Sequence, residues 1–142
     1  MIITQDYENM SKIAAMELMG WITRAKNKRV NLAVTGGSTP VRMYEIIQTF
    51  LKDNKFENVH YYNFDEIPIK GEPSLTIESL HRLFFHPCSI DKAQIEIFNE
   101  KNYMDYDAKL TADGGIDMIM LGLGLDGHFC GNLSAGKKRP KS

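Results

Sequence analysis

The sequence predicts one α/β domain with a mostly parallel sheet and helices on both sides. Two observations carry that expectation. Short β-rich apolar runs alternate with stretches whose apolar residues recur every three or four positions. Three of those runs end directly in a glycine-rich or acidic turn, as strands of an open parallel sheet do when they deliver loops to one edge. The size agrees: 142 residues, 43% hydrophobic and 25% charged, fill one core but not two.

Taken in order, Met10, Ile13, Ala14, Leu18, Trp21 and Ile22 mark an amphipathic first helix, with Asp6 as its cap. Val30 to Val34 reads as a strand running into Thr35-Gly36-Gly37. Thr39 is then expected to cap a second helix with Pro40 at its first position and Val41, Tyr44, Ile47 and Leu51 as its stripe. Val59 to Phe64 is a strand ending at Asp65-Glu66. Ser74 or Thr76 would cap a third helix through Leu80, Leu83 and Phe84, stopped by Pro87. Ile95 to Phe98 is a short strand, Tyr103 to Leu110 an exposed helix closed by Gly114-Gly115, and Ile116 to Leu121 a strand apolar enough to be covered on both faces. The domain is expected to span residues 1–136, with a disordered basic tail at 137–142.

Composition narrows the classes of partner. A net charge of −1 gives no case for nucleic acid, and the basic residues Lys137, Lys138, Arg139 and Lys141 fit a tail better than a binding arm. Cys88 and Cys130 lack CxxC spacing and a histidine cluster, so neither zinc nor a disulfide framework is expected. The polar start MIITQDYENM is no signal peptide and no run is long enough to span a bilayer, so a cytoplasmic protein with no membrane partner is expected.

Three loops carry the candidate chemistry. In Gly36-Gly37-Ser38-Thr39-Pro40, glycines let backbone N–H groups converge ahead of a helix N-terminus, a natural phosphate cradle without the lysine of a P-loop. A glycine turn that merely caps a helix would look the same. Asp65 at a strand end suits a general base, although an Asp-Glu pair also suits a plain turn. Gly122 to Gly127 spells GxGxxG, but the helix, strand and acidic residue that dinucleotide binding requires do not follow. There remains Asp126-Gly127-His128, where the carboxylate can orient the imidazole. All three loops follow strands and so should share one sheet edge.

GGSTP at 36–40, NFDEI at 63–67, HRLFF at 81–85 and LGLGLDGH at 121–128 occur in this order in the glucosamine-6-phosphate deaminase/isomerase family, which the chain resembles over roughly residues 30–133. The related 6-phosphogluconolactonases share the first and last motifs. The resemblance implies a three-layer α/β/α fold, a sugar-phosphate substrate and no cofactor or metal. It implies that Gly36, Gly37, Ser38 and Thr39 bind the phosphate and that Asp65 shuttles a proton between C2 and C1. His128, oriented by Asp126, would assist ring opening. Lactone hydrolysis with His128 activating water, sugar-phosphate binding without catalysis, or an inactive truncated fragment are the competing expectations.

The sequence departs from the family pattern at three places. Leu133 replaces a glutamate and favours plain aldose–ketose isomerisation, or a different amino-sugar phosphate, over deamination. Ile67 replaces a tyrosine. The chain also stops after Gly136 in KKRPKS where family members continue. A C-terminally truncated fold is therefore expected, with Ile116, Met118, Ile119 and Met120 partly uncovered and homo-oligomers possible.

Overall fold

Val30–Val34 (β1) is buried along its whole length and lies between two neighbours. It pairs in parallel with Val59–Asn63 (β2), Val30 opposite Val59 through to Val34 opposite Asn63. On its other side it pairs in parallel with Met118–Ile119 (β4), Leu32 opposite Met118. Ile95–Glu96 (β3) completes the order β3-β2-β1-β4 by pairing in parallel with β2. The computed structural model describes residues 2–24, 28–68, 74–124, 127–130 and 132. The expected tail and the end of the expected domain lie outside those residues. No described helix is long and apolar enough to cross a membrane.

One face of the sheet carries the main core. Leu32, Val34, Val59 and Tyr61 pack there against the helices Tyr7–Arg24 (α1), Val41–Asp53 (α2) and Leu75–Leu80 (α3). Asp6 caps α1 as expected, its Oδ1 accepting from the Asn9 N–H at 2.7 Å. The stripe of α1 is rotated from the expected one. Ser11, Ala15, Leu18 and Ile22 face inward, and Met10 is exposed. Small residues at 11 and 15 let the helix approach closely, which Met10 would prevent.

The HRLFF segment is a π-helical turn, His81–Phe85, with the His86 N–H bonded to the His81 carbonyl at 3.0 Å. It drives Phe84 into the core, where the ring stacks on Tyr44 at 4.6 Å and meets Tyr61 edge-on at 5.2 Å. Such ring pairs contribute about 0.5–1.5 kcal/mol each beyond area burial.

The opposite face is thinner. Ala33, Tyr62 and Tyr106 form a small cluster under Tyr106–Ala112 (α4), supported by Phe98, Leu110 and Ile116. An ionic network does the rest of the fastening. Lys109 Nζ reaches Asp113 at 2.6 Å and Glu96 at 2.8 Å, while Arg29 bonds the Tyr62 hydroxyl at 2.8 Å and Glu96 at 3.2 Å. Asn31, buried in β1, donates to the Asp113 and Gly115 carbonyls at 2.8 and 2.7 Å and so ties the α4–β4 connection to the central strand.

Three elements are shorter or later than the sequence suggests. Asn102 donates to the Ile97 carbonyl at 2.6 Å and accepts from the Asn99 N–H at 2.8 Å. These local bonds end β3 after Glu96 and delay α4 to Tyr106. The last strand is formally two residues, extended by the Asp117 N–H to Asn31 and the Met120 N–H to Ala33 bonds. It is not covered on both faces: Ile119 is 49% and Leu121 53% exposed, while Ile116, Met118 and Met120 are half-buried.

The network has a defined pH signature. Burial opposes charge on Glu96 and Asp113, but hydrogen bonds from Lys109 hold both carboxyls below their ordinary values, with Arg29 adding to them at Glu96 and Tyr62 and the Arg29 charge at Asp113. Their contribution is therefore present above the unfolded carboxylate range and lost as pH falls through the lowered folded values. Asp113→Asn is expected to cost about 1–3 kcal/mol at pH 7 in urea unfolding, with the gap to wild type narrowing toward pH 3; a pH-independent gap would contradict this. Among the described residues no strand pairs with the outer edge of β4, and the exposed Ile119 beside it predicts concentration-dependent association in gel filtration, reduced by Ile119→Lys. A monodisperse monomer at all concentrations would contradict it.

Candidate functional site

β1 ends at Thr35, whose carbonyl accepts from the buried Tyr44 hydroxyl of α2 at 2.8 Å. The chain then turns through Gly36 and Gly37, the latter at φ +88°. The Gly37 N–H donates to Ser79 Oγ of α3 at 3.2 Å, so the turn is held from behind. A Cβ at Gly36 would sit 3.1 Å from Ser79 Cβ and 3.3 Å from the Thr76 carbonyl oxygen.

The second helix starts one residue later than expected. Pro40 is the cap, its carbonyl accepting from the Tyr44 N–H at 3.0 Å, and Thr39 makes no cap bond. Tyr7, from the start of α1, takes over part of that role. Its hydroxyl donates to the Thr39 carbonyl at 2.9 Å and accepts from the Arg42 N–H at 3.3 Å. Beside it, Glu8 grips the Arg42 guanidinium at 2.8 and 3.1 Å, and that hydrogen bonding holds the Glu8 carboxyl down at about 2.

Asp65 follows β2 and is half-buried. The buried Asn63 side chain donates to the Asp65 carbonyl at 3.1 Å and to the Phe98 carbonyl at 2.9 Å, which fixes the strand exit. Neighbouring side chains on an extended backbone point to opposite sides, and Glu66 accordingly turns toward α3. The Ser74 side chain makes no cap bond. Instead the Glu66 carboxylate accepts from the Thr76 and Ile77 N–H groups at 3.0 and 3.1 Å.

After β4, the Gly124 N–H donates to the His128 carbonyl at 2.8 Å, and Leu123 bridges antiparallel to Phe129. This closed loop brings His128 back over the sheet edge. Asp126 and Leu133 lie outside the described residues.

Gly36, Gly37, Ser38, Thr39, Asp65 and His128 line one cleft of about 900 Å³. Tyr7, Ile67, Thr76 and Cys130 share its wall. Cys130 sits at φ +56°, and burial together with the Asp65 charge pushes its thiol up, so it stays protonated at neutral pH. Sequence reasoning missed Tyr7, Thr76 and Cys130. Cys130 lies two residues from His128 and was within reach of inspection, whereas nothing local distinguishes Tyr7 or Thr76. Chemically, the cleft offers a helix N-terminus for an anion, a carboxylate and an imidazole. Among the described residues no group of three or more His, Cys, Asp or Glu side chains is close enough to hold a metal ion.

Residues 5–132 match the family model described as glucosamine-6-phosphate isomerases/6-phosphogluconolactonase. The chain is 35% identical over 139 residues to a glucosamine-6-phosphate deaminase of Clostridium perfringens, covering 91% of this chain and 57% of that protein. It is 32% identical over 138 residues to the one of Clostridium tetani, covering 90% and 56%. Among solved structures, a monomeric glucosamine-6-phosphate deaminase superposes with TM-score 0.71 at 25% identity, over 89% of this chain and 56% of that one. The 6-phosphogluconolactonase from Plasmodium vivax superposes with TM-score 0.70 at 20% identity, over 90% and 48%, a likeness of fold. The chain thus spans about half the length of these relatives.

The two glycines make separable demands. Gly36→Ala pushes a methyl against the Thr76 backbone and is expected to cost about 1–3 kcal/mol. Gly37→Ala meets open space and is expected to cost only the roughly 1–2 kcal/mol of a left-handed residue. Thermal melts of both variants check the order, and a larger loss at Gly37 would overturn the packing account of the turn.

Proposed function

The chain belongs to the glucosamine-6-phosphate isomerase/6-phosphogluconolactonase family, and from that membership and the composition of the cleft we propose that it takes a hexose or hexosamine 6-phosphate and moves protons on it. The observation that carries this reading is the convergence of Asp65, His128 and the Gly36–Thr39 turn on one cleft from three separate strand ends. In this reading the sugar phosphate sits at the N-terminus of α2 with the hydroxyls of Ser38 and Thr39 as donors. The α2 dipole favours that charge, and the sugar then extends toward Asp65 and His128.

Proton abstraction beside a carbonyl needs a base near the carbon and a separate acid–base group at the ring oxygen. Asp65 takes the C2 proton of the opened sugar, leaving an enediol or enolamine, and returns it to C1. His128, with Asp126 as its expected orienting partner, moves the proton that opens the ring. No step requires a metal or cofactor. Release of ammonia distinguishes deamination from plain aldose–ketose isomerisation, and Leu133 at the position of the family's glutamate favours the latter.

Incubation with glucosamine 6-phosphate and glucose 6-phosphate, scored for ketose phosphate and ammonia, is compared with incubation with 6-phosphogluconolactone, scored for acid. Ketose formation supports the proposal, and acid release alone replaces it with lactone hydrolysis. Binding without turnover of any of them would make the chain a sugar-phosphate-binding module. Asp65→Asn and His128→Gln are each expected to lower turnover about 10²–10⁴-fold, with ligand affinity measured by calorimetry largely retained. Unchanged turnover in either variant removes that residue from the mechanism.

A further inference from the structure

Asp65 and Glu66 read as a pair in the sequence, but the fold gives them different tasks. Glu66 Oε1 accepts from the Ile67 N–H at 2.8 Å and from the Thr76 N–H at 3.0 Å, while Oε2 accepts from the Ile77 N–H at 3.1 Å. One carboxylate thus satisfies three backbone donors drawn from two segments ten residues apart. Two of those donors belong to the first turn of α3, where no side chain of the helix's own makes a cap bond. Charge-assisted bonds to backbone N–H groups are among the stronger and more directional ones available.

The far side of the same helix supports the anion turn. Ser79 Oγ holds the Gly37 N–H at 3.2 Å, and the Thr76 carbonyl lies against Gly36. Thr76 therefore touches both sides: its N–H is held by Glu66 and its carbonyl backs the turn. On the strand side Asn63 fixes the Asp65 carbonyl at 3.1 Å, and the Phe64 N–H bonds the Val34 carbonyl at 3.0 Å, so the chain is anchored on both sides of Asp65.

We propose that Glu66 is a positioning residue whose carboxylate, by clamping the first turn of α3, sets the spacing between Asp65 and the Gly36–Thr39 turn. A substrate gripped by its phosphate on that turn presents its reacting carbon at a fixed distance from the grip. The base must therefore be held at the matching distance. Glu66 touches no substrate in this account and acts through Asp65. The inference rests on the sugar-phosphate reading above for its catalytic consequence, but the clamp itself is observable without turnover.

The test uses the full chain with Glu66→Ala and Glu66→Gln. Glutamine keeps the side-chain length and one acceptor oxygen but places an amide NH2 against one donor, so it should restore part of what alanine loses. Where wild type turns over, Glu66→Ala is expected to lower kcat about 100-fold, the effect of roughly 1 Å of misplacement. The Kd for glucosamine 6-phosphate by calorimetry should stay within about threefold, because the turn keeps its own bond to Ser79, and Glu66→Gln should fall between. Equal loss of kcat and affinity, in step with a lowered melting temperature, would overturn the positioning role, as would an unchanged kcat. If wild type shows no turnover, the sugar-phosphate reading fails on its own. Hydrogen exchange then decides the clamp: faster exchange of the Thr76 and Ile77 amides in Glu66→Ala with a shifted Asp65 carboxyl resonance supports it, and unchanged signals sink it.

Discussion

Everything in the candidate site depends on β1 being flanked in parallel on both sides. Parallel pairing forces β1, β2 and β4 to end at the same edge, whatever the length of chain between them. The register is tight enough to matter, since a slip of one residue would reverse every side chain on a strand. Asn31 and Asn63 would then exchange faces with Leu32 and Tyr62. Both asparagines are buried, and their bonds lock connections that no hydrophobic contact could specify. Asn31 holds the α4–β4 junction, and Asn63 holds the β2 exit beside Phe98. A misregistered strand would leave these amides without partners, at a cost of about 1–3 kcal/mol for each orphaned group.

The three loops at that edge are then fixed by unlike means. The glycine turn is held by side chains of other elements, Tyr44 beneath it and Ser79 behind it. Asp65 is held through its own peptide and its sequence neighbour. His128 is held by main-chain bonding within its loop, the Gly124 N–H closing on its carbonyl. Different anchorage implies different sensitivity. The turn meets α3 at Ser79, and Asp65 meets it through Glu66 at the first turn, so the two are held at different points of one helix.

Much of this was legible in the residues. The strand–glycine–helix unit, the strand ending at Asp65 and the apolar run before LGLGLDGH all announce themselves locally, because propensity and period act over a few residues. The ordered motifs then carry the family. What stayed hidden has one physical character: the bonding partners are distant in sequence. Tyr7 acts on Thr39 and Arg42 from more than thirty residues away, and Asn31 acts on Asp113 and Gly115 from more than eighty. Glu66 looked like half of an acidic pair because its real partners, the Thr76 and Ile77 N–H groups, carry no side-chain signature at all. The displaced cap at Thr39 has the same origin, for Tyr7 supplies from outside what a local cap would have supplied. Asp126 is the remaining member of the expected set, and its position lies outside the described residues.

The uneven covering of the sheet bears on stability and on the site in different degrees. The main core lies under α1, α2 and α3, the same elements that shape the glycine-turn side of the cleft, so the best-packed part of the molecule supports that turn. The thin face depends on α4 and on charged groups whose strength varies with pH, and it borders Phe64 and Phe98 rather than the turn. Loosening α4 would reach the Asp65 carbonyl through Asn63 and Phe98, whereas Ser79 and Tyr44 belong to the helices on the other face of the sheet. It follows that acidification should perturb the β2 exit at Asn63 and Phe98 before it perturbs the Gly36–Thr39 turn. The order arises from where the apolar area and the ion pairs lie.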